Sequence, residues 1–270
     1  MAQSDPDPRV AAVPDSVDSE FHAAVGALAD ELRDADRAVA LTGAGLSAAS
    51  GIPTFRGDDG IWGDKFDEAA FHVSRFERDP GGFWADRIRL YDHMEPAGGA
   101  KPNAAHEALA DLTNAGVLDA VVTQNTDGLH DAAGTEKVIE LHGSNARVVC
   151  AACDRRVPAG PIRKRARDGE RPPTCDCGGP YKPDVVLFGD RLPQGAYRRA
   201  KSLAAESDVF LVAGSSLTVD PAASLPTHRR GATLAVVNFD RTRYAGTAEY
   251  DLRADVTVVL PTVADRVLTG

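Results

Sequence analysis

The chain has 270 residues, 43% of them hydrophobic, enough to bury one large core with a smaller satellite module. A formal charge of −10 speaks against general binding to nucleic acid or to an anionic membrane. No apolar run approaches the ~20 residues of a membrane span.

Residues 1–19 are rich in Pro and Asp and lack the basic region and apolar core of a secretory signal. They read as a disordered leader, and the cytoplasm is the expected location. Phe21, Val25, Leu28 and Leu32 recur at helical spacing and predict a helix over 20–35. It feeds a short apolar run, Ala38-Val39-Ala40-Leu41, of the length of a buried parallel strand. Gly43-Ala44-Gly45-Leu46-Ser47-Ala48 follows and fits the G-x-G-x-x-G/A pattern. Glycines there let the backbone come close to a pyrophosphate, and a helix start offers it free N–H groups. The pattern alone is a weak signal. A hydride-transfer enzyme would continue through a helix into a second strand ending in an acid about 20 residues on. Here Gly51-Ile52-Pro53-Thr54-Phe55-Arg56-Gly57 breaks any such helix, so a nucleotide loop runs into a second, irregular loop.

Residues 55–100 carry Trp62, Phe66, Phe71, Phe76, Phe83 and Trp84 amid Gly and Asp and read as a small helical insertion. Asn103 is placed to cap a helix with Ala105, Leu109 and Leu112 inward and Gly116 at its end. Strand-like runs follow at Asp119–Thr123, Val138–Leu141, Val185–Phe188, Val209–Ala213, Leu234–Asn238 and Val256–Leu260, separated by helical stretches such as Tyr197–Glu206. This alternation predicts an α/β fold, a doubly wound, Rossmann-like and mainly parallel sheet. Its core would comprise 20–54, 101–143 and 184–270, interrupted by the helical insertion and by a cysteine module at 144–183. Both insertions leave the sheet near its C-terminal edge, where open α/β folds bind ligands.

Gln124, Asn125 and Asp127 close the strand that begins at Asp119. Amide and carboxylate groups at that place suit hydrogen bonds to ribose hydroxyls and a carboxamide, although an Asx-type turn would use the same residues. His142 sits just past another apolar strand, where an imidazole can act as general base. His106 and His130 fit helix or loop packing, and His22, His72, His93 and His228 look peripheral. Gly214-Ser215-Ser216 follows the run Val209–Ala213; its glycine permits close approach and its hydroxyls can bond phosphate or ribose. Asn238 could bind a ribose or cap the turn at Asp240. Cys150-x-x-Cys153 and Cys175-x-Cys177 have the make-up of a closed, structural zinc site. The second pair is one residue tighter than usual, which leaves Asp176 or water as a substitute ligand. The run Arg163-Lys164-Arg165-Ala166-Arg167 reads as a solvated face.

In this order the pieces resemble the sirtuins, the NAD-dependent protein deacylases. The matching segments are 43–57, 124–130, 141–143, the cysteine module, 182–190, 214–223 and Asn238, covering almost everything from residue 20 onward. The resemblance implies that Gly43, Ala44, Gly45, Ser47, Thr54, Phe55, Arg56, Gln124, Gly214, Ser215, Ser216 and Asn238 hold NAD, with Val256 near the adenine. Ile52, Asn125 and Asp127 would line the nicotinamide pocket, and His142, with Asn125, would be catalytic. Val186, Phe188 and Gly189 would pair with an extended substrate peptide by strand addition. In the family the acyl-lysine oxygen attacks the ribose as nicotinamide leaves, a base-activated ribose hydroxyl attacks the resulting imidate, and water releases lysine and O-acyl-ADP-ribose. NAD is thus a co-substrate and zinc a structural ion. The expected partners are acylated protein lysines, met by a monomer without membrane or nucleic acid. Thr54 and Thr126 depart from common family residues without removing a catalytic group. The desuccinylating branch carries Tyr-x-x-Arg where this chain has Arg87 and Leu90, with Arg89 and Tyr91 close by, which favours a deacetylase. A desuccinylase, an NAD hydrolase or ADP-ribosyltransferase, and a zinc-dependent nucleic-acid module that senses NAD are the alternatives.

Overall fold

The computed structural model describes residues 15–55, 60–63 and 65–270. Most of the expected leader and Arg56 lie outside these. The first helix, α1 (Asp15–Asp34), begins inside the stretch expected as leader and leads into β1 (Ala38–Thr42). Instead of an α-helix, two short 3-10 turns follow the glycine loop, Ala44–Leu46 and Ala48–Ser50, and Gly51 ends them at φ 82°. The helical insertion supplies α2 (Val73–Arg78) and α3 (Pro80–Met94). Next comes α4 (Ala104–Asn114), capped as expected by Asn103, whose side chain accepts from the N–H groups of Ala105 and His106. β2 (Ala120–Thr123), the single turn α5 (Leu129–Ala132) and β3 (Val138–Glu140) complete the first half of the sheet.

The cysteine module contains β4 (Gly143–Cys150), β5 (Arg156–Pro158), α6 (Ala159–Arg167) and β6 (Tyr181–Val185). The chain then returns to the sheet through α7 (Gln194–Glu206), β7 (Val209–Ala213), β8 (Thr233–Val237), β9 (Tyr250–Leu252) and α8 (Val256–Thr269). Two expected strands are corrected here. Val256–Leu260 is the start of α8: Val256, Val259, Leu260, Val263, Ala264 and Val267 are buried at helical spacing, and the Asp255 carboxylate caps Thr257 N–H. The last strand is instead β9. Val185–Phe188 is not a strand either; β6 ends at Val185, and Val186–Gly189 bends away with Gly189 at φ 82°. Asp190 holds that bend, its carboxylate accepting from Leu187 N–H at 3.2 Å.

The large sheet has the order β3-β2-β1-β7-β8-β9 and every pairing is parallel. Strand order therefore reverses between β1 and β7, the place where open α/β sheets hold their ligands. Alternate residues of each strand serve two cores. Ala38 and Ala40 pack beneath α1, α4 and α8 with Leu28, Leu109 and Val263. Val39 and Leu41 face α7 and the 3-10 segment Ala222–His228 with Ala200 and Leu225. Burial on both faces explains why the strands read as continuous apolar runs.

The two insertions are not separate. Ile61, Phe71, Phe83 and Trp84 from the helical stretch share a third core with Val148, Ile162, Cys175 and Tyr181 from the cysteine module. Trp84 fixes them together by donating from Nε1 to the Tyr181 carbonyl at 2.7 Å. Three cations of the basic run on α6 are paired, Lys164 with Asp168, Arg165 with Glu170 and Arg167 with Asp92, while Arg163 lies 3.8 Å over the Tyr91 ring. Among the described residues no helix is long and apolar enough to cross a membrane.

Candidate active site

A cleft of about 650 Å³ opens over the C-terminal ends of β1, β2 and β7, between the sheet and the combined insertions. Its floor is set by two glycine loops in unusually close contact. Gly43 N–H donates to the Ala213 carbonyl at 3.2 Å and Gly45 N–H to the Gly214 carbonyl at 2.8 Å. Gly214 takes φ 60°, and a Cβ there would stand 2.2 Å from the Leu46 nitrogen. A Cβ on Gly43 would meet Ser215 at 2.8 Å. Only glycine fits these positions, so both loops are committed to backbone contact. Ala44 N–H is left without a partner among the described residues and lines the cleft, as a phosphate-binding donor would.

Asn125 is buried, and its Nδ2 donates to the Gly43 carbonyl at 3.0 Å and to Ser47 Oγ at 3.1 Å. With both amide hydrogens spent, the carbonyl end of its side chain is the part available to a ligand. Ser47 in turn donates to Asp127 Oδ2 at 2.8 Å, and Asp127 Oδ1 accepts from Leu129 N–H at 2.9 Å. Gln124 Nε2 bonds Ser215 Oγ at 2.9 Å, tying the end of β2 to the loop after β7.

Directly behind this array lie two histidines that sequence reasoning set aside as packing. His106 is fully buried, its Nε2 is 3.4 Å from Ser47 Oγ, and its Nδ1 closes the capping box with Asn103. His130 is also buried, 2.9 Å from Thr42 Oγ1, and its ring lies 5.1 Å from that of His106. Burial pushes their pKa values down to about 4 and about 3. The signal that could have found His106 is its N3 position in the helix capped by Asn103.

His142 is placed by β3 and β4 and lines the cleft. One ring nitrogen, Nδ1, lies 2.8 Å from the Gln124 carbonyl. A carbonyl can only accept, so Nδ1 carries the hydrogen and Nε2 keeps its lone pair. Burial lowers the His142 pKa, and the Gln124 carbonyl offsets part of that effect. The ring is therefore neutral near pH 7, with an accepting nitrogen available in the cleft.

The remaining expected residues fall into three groups. Thr54, Phe55, Ser216 and Asn238 line the cleft with the glycines. Val186, Phe188 and Gly189 form its far wall, where Phe188 N–H and carbonyl are both spent on Phe71 and Val73 of the helical insertion. Ser47 is buried and Asp127 half-buried, and neither is in the lining. Ile52 is half-buried and outside the lining, and Val256 is buried in the core under the sheet. His72, expected as peripheral, packs on Gly189: a Cβ there would sit 2.3 Å from its Nε2. Arg87 also lines the cleft, nine-tenths buried, with Nη2 donating to Asn145 Oδ1 at 2.8 Å. Arg89 points outward and pairs with Asp86, while Leu90 is core.

The sulfurs of Cys150, Cys153, Cys175 and Cys177 all lie within 4.8 Å of one another, and none forms a disulfide. A tetrahedral zinc with bonds of ~2.3 Å needs sulfurs about 3.8 Å apart; Cys150–Cys177 and Cys153–Cys175 are 3.5 and 3.9 Å. Asp176 is turned away, its carboxylate 87% exposed and bonded to Arg155 at 2.6 Å. The tight second pair thus needs no substitute ligand, and the four thiolates fit structural zinc.

Comparison with known proteins now agrees with this geometry. The Sir2 family model matches residues 43–221, well over half of the chain. The chain belongs to the Sir2 family. It is 53% identical over 259 residues to the NAD-dependent protein deacetylase of Haloarcula marismortui, covering 93% of this chain and 96% of that one. Among solved structures, a Sir2 homologue–NAD complex superposes with a TM-score of 0.80 at 38% identity, covering 90% of this chain and 93% of that one. A Sir2 histidine variant with a deacetylated p53 peptide and 3′-O-acetyl-ADP-ribose gives 0.80 at 37% identity, over 90% and 96%.

Three outcomes follow. Gly214→Ala forces the two loops apart, so ADP-ribose affinity measured by calorimetry drops at least ~10-fold. Chelation removes about one zinc per chain and lowers the melting temperature; thiols that titrate freely in the folded protein with no zinc present would contradict the site. Unfolded histidines take up protons below about pH 6.5 that buried His106 and His130 refuse until about pH 4 and 3. The unfolded state therefore binds more protons in that window, and stability falls as pH drops from 6.5 toward 4. Urea midpoints across this range should show the decline; a flat profile contradicts their burial as neutral rings.

Proposed function

We propose that this chain is an NAD-dependent protein-lysine deacetylase that transfers the acyl group to ADP-ribose and releases nicotinamide. The observation that carries it is the placement of His142, with Nδ1 on the Gln124 carbonyl and Nε2 left to accept in a cleft that also holds the two glycine loops and Asn125. Gly43–Gly45, Ser215 and Ser216 would hold the phosphates and Asn238 the adenosine ribose. Asn125, kept in place by Ser47 and Gly43, would present its carbonyl to the nicotinamide side, with Asp127 set by Ser47 next to it. His142 would accept the proton of a ribose hydroxyl through Nε2, and the buried walls would keep bulk water from diverting the reaction to hydrolysis. A Sir2 relative was captured with a deacetylated peptide and 3′-O-acetyl-ADP-ribose, which supports acyl transfer to the ribose.

The substrate loop offers a peptide two main-chain groups without partners among the described residues, the Val186 carbonyl and the Gly189 N–H. These suit strand addition, with Phe188 contributing its ring. An acylated peptide is accordingly the expected partner, and His142→Ala should cut nicotinamide release with an acetyl-lysine peptide by at least ~10²-fold. Near-wild-type turnover in that variant would remove His142 from the role of base.

One observation favours a second reading of the acyl preference. Arg87 reaches the cleft without the Tyr-x-x-Arg pattern, stacked 4.7 Å from the Tyr91 ring. Its Nε has no partner, and no carboxylate lies within salt-bridge distance among the described residues. A buried guanidinium without an anion is costly, and a carboxylate-ended acyl group would complete it. On a panel of acetyl, propionyl and succinyl peptides, Arg87→Met should lower succinyl turnover at least ~10-fold more than acetyl turnover. Equal losses on all chains would leave Arg87 as a brace for Asn145.

A further inference from the structure

Four aromatic rings connect the cofactor side of the cleft to its peptide side. Trp62 stacks on Phe55, with centroids 5.9 Å apart and planes inclined by 14°. It meets Phe188 edge-on at 5.3 Å and leans on Phe71 at 5.4 Å. All four line the cleft. Phe55 lies on the segment that follows the nucleotide loop, and Phe188 lies in the proposed substrate loop. Among the described residues no backbone hydrogen bond joins those two segments. The Trp62 indole is the contact they share.

The base of Trp62 is fixed while its ring remains at the surface of the cleft. Trp62 N–H donates to the Phe55 carbonyl at 3.4 Å, and Ile61 N–H donates to the Thr54 carbonyl at 3.1 Å. Ile61 is fully buried and Trp62 pairs with Phe66 in a single β-bridge. Phe188 is anchored separately, through Phe71 and Val73. Trp84 shows what a purely structural indole looks like in this fold: fully buried, its N–H spent on Tyr181. Trp62 is half-buried and faces the space where two substrates would meet.

We propose that Trp62 is a positioning residue that couples occupancy of the peptide side to occupancy of the nucleotide side. An acyl-lysine side chain packed on Phe188 sets the indole, and the indole sets Phe55. Close-packed rings have few alternative arrangements, so a displacement of one is passed to its neighbour. By linkage the effect is reciprocal: whatever the peptide does to nucleotide affinity, the nucleotide does to peptide affinity. The inference rests on the deacylase reading, since it needs both substrates in one cleft.

The test is calorimetric titration of ADP-ribose into the full chain with and without a saturating acetyl-lysine peptide. In the wild type the peptide should tighten ADP-ribose by roughly 5-fold or more. Trp62→Phe should keep most of that factor. Trp62→Ala should reduce it below ~2-fold, while each ligand alone binds within ~3-fold of wild type. Full coupling in Trp62→Ala, or none in the wild type, overturns the proposal. A wild type that binds neither ligand overturns the deacylase reading and the coupling together. Fluorescence gives an independent reading that does not depend on the alanine variant folding. The chain has two tryptophans, so in Trp84→Phe the emission belongs to Trp62. It should shift on adding peptide and again on adding ADP-ribose; an emission indifferent to both overturns the proposal.

Discussion

The site depends on how closely the loop after β1 approaches the loop after β7. These strands are neighbours at the point where the sheet reverses its order, and their loops touch through glycine backbone. The contact narrows the crevice until Ser215 can reach Gln124 and Asn125 can reach Gly43. Each of these polar side chains is then held by a backbone or side-chain partner before any ligand arrives. Preorganisation of this kind lowers the ordering cost of binding. It also puts the ring nitrogen of His142 at a defined place, because the carbonyl that fixes it belongs to the same Gln124.

Behind the cleft runs a polar layer in which Ser47, His106, Thr42 and His130 are buried and Asn103 and Asp127 half-buried. It contains no cation beside Asp127, since burial keeps both imidazoles neutral. Ser47 therefore orients Asp127 and Asn125 with no competing cation under the site. The other wall is built from two insertions distant in sequence that share one apolar core. The zinc site fastens one side of that core and Trp84 the centre. The loop Val186–Gly189 is attached to this module through Phe71 and Val73, and to the segment after β3 through Val186 N–H on the His142 carbonyl. The proposed peptide and nucleotide sites therefore lie on two bodies that meet at His142.

Much of this was legible in the residues. The glycine loops, the polar strand ends and the cysteine spacing each report a local backbone requirement, and those requirements survive folding. A short apolar run does not by itself separate strand from helix. Val256–Leu260 is as apolar as a strand, yet its continuation to Val267 at helical spacing and the Asp255 cap decide for a helix. Val185–Phe188 is apolar because Val185 and Leu187 enter the third core and Phe188 meets the Trp62 ring, while the strand itself ends at Val185. His106, His130 and Arg87 were not legible as site residues. Their significance comes from tertiary neighbours, Ser47, Thr42 and Asn145, which lie far from them in sequence.

The central claim is that NAD is consumed in step with deacylation. Purified protein with NAD and an acetyl-lysine peptide, followed by mass spectrometry, tests it directly. One nicotinamide and one O-acetyl-ADP-ribose per lysine freed, with no NAD loss when peptide is omitted, is the predicted result. NAD breakdown that proceeds equally without peptide and yields free ADP-ribose would contradict it.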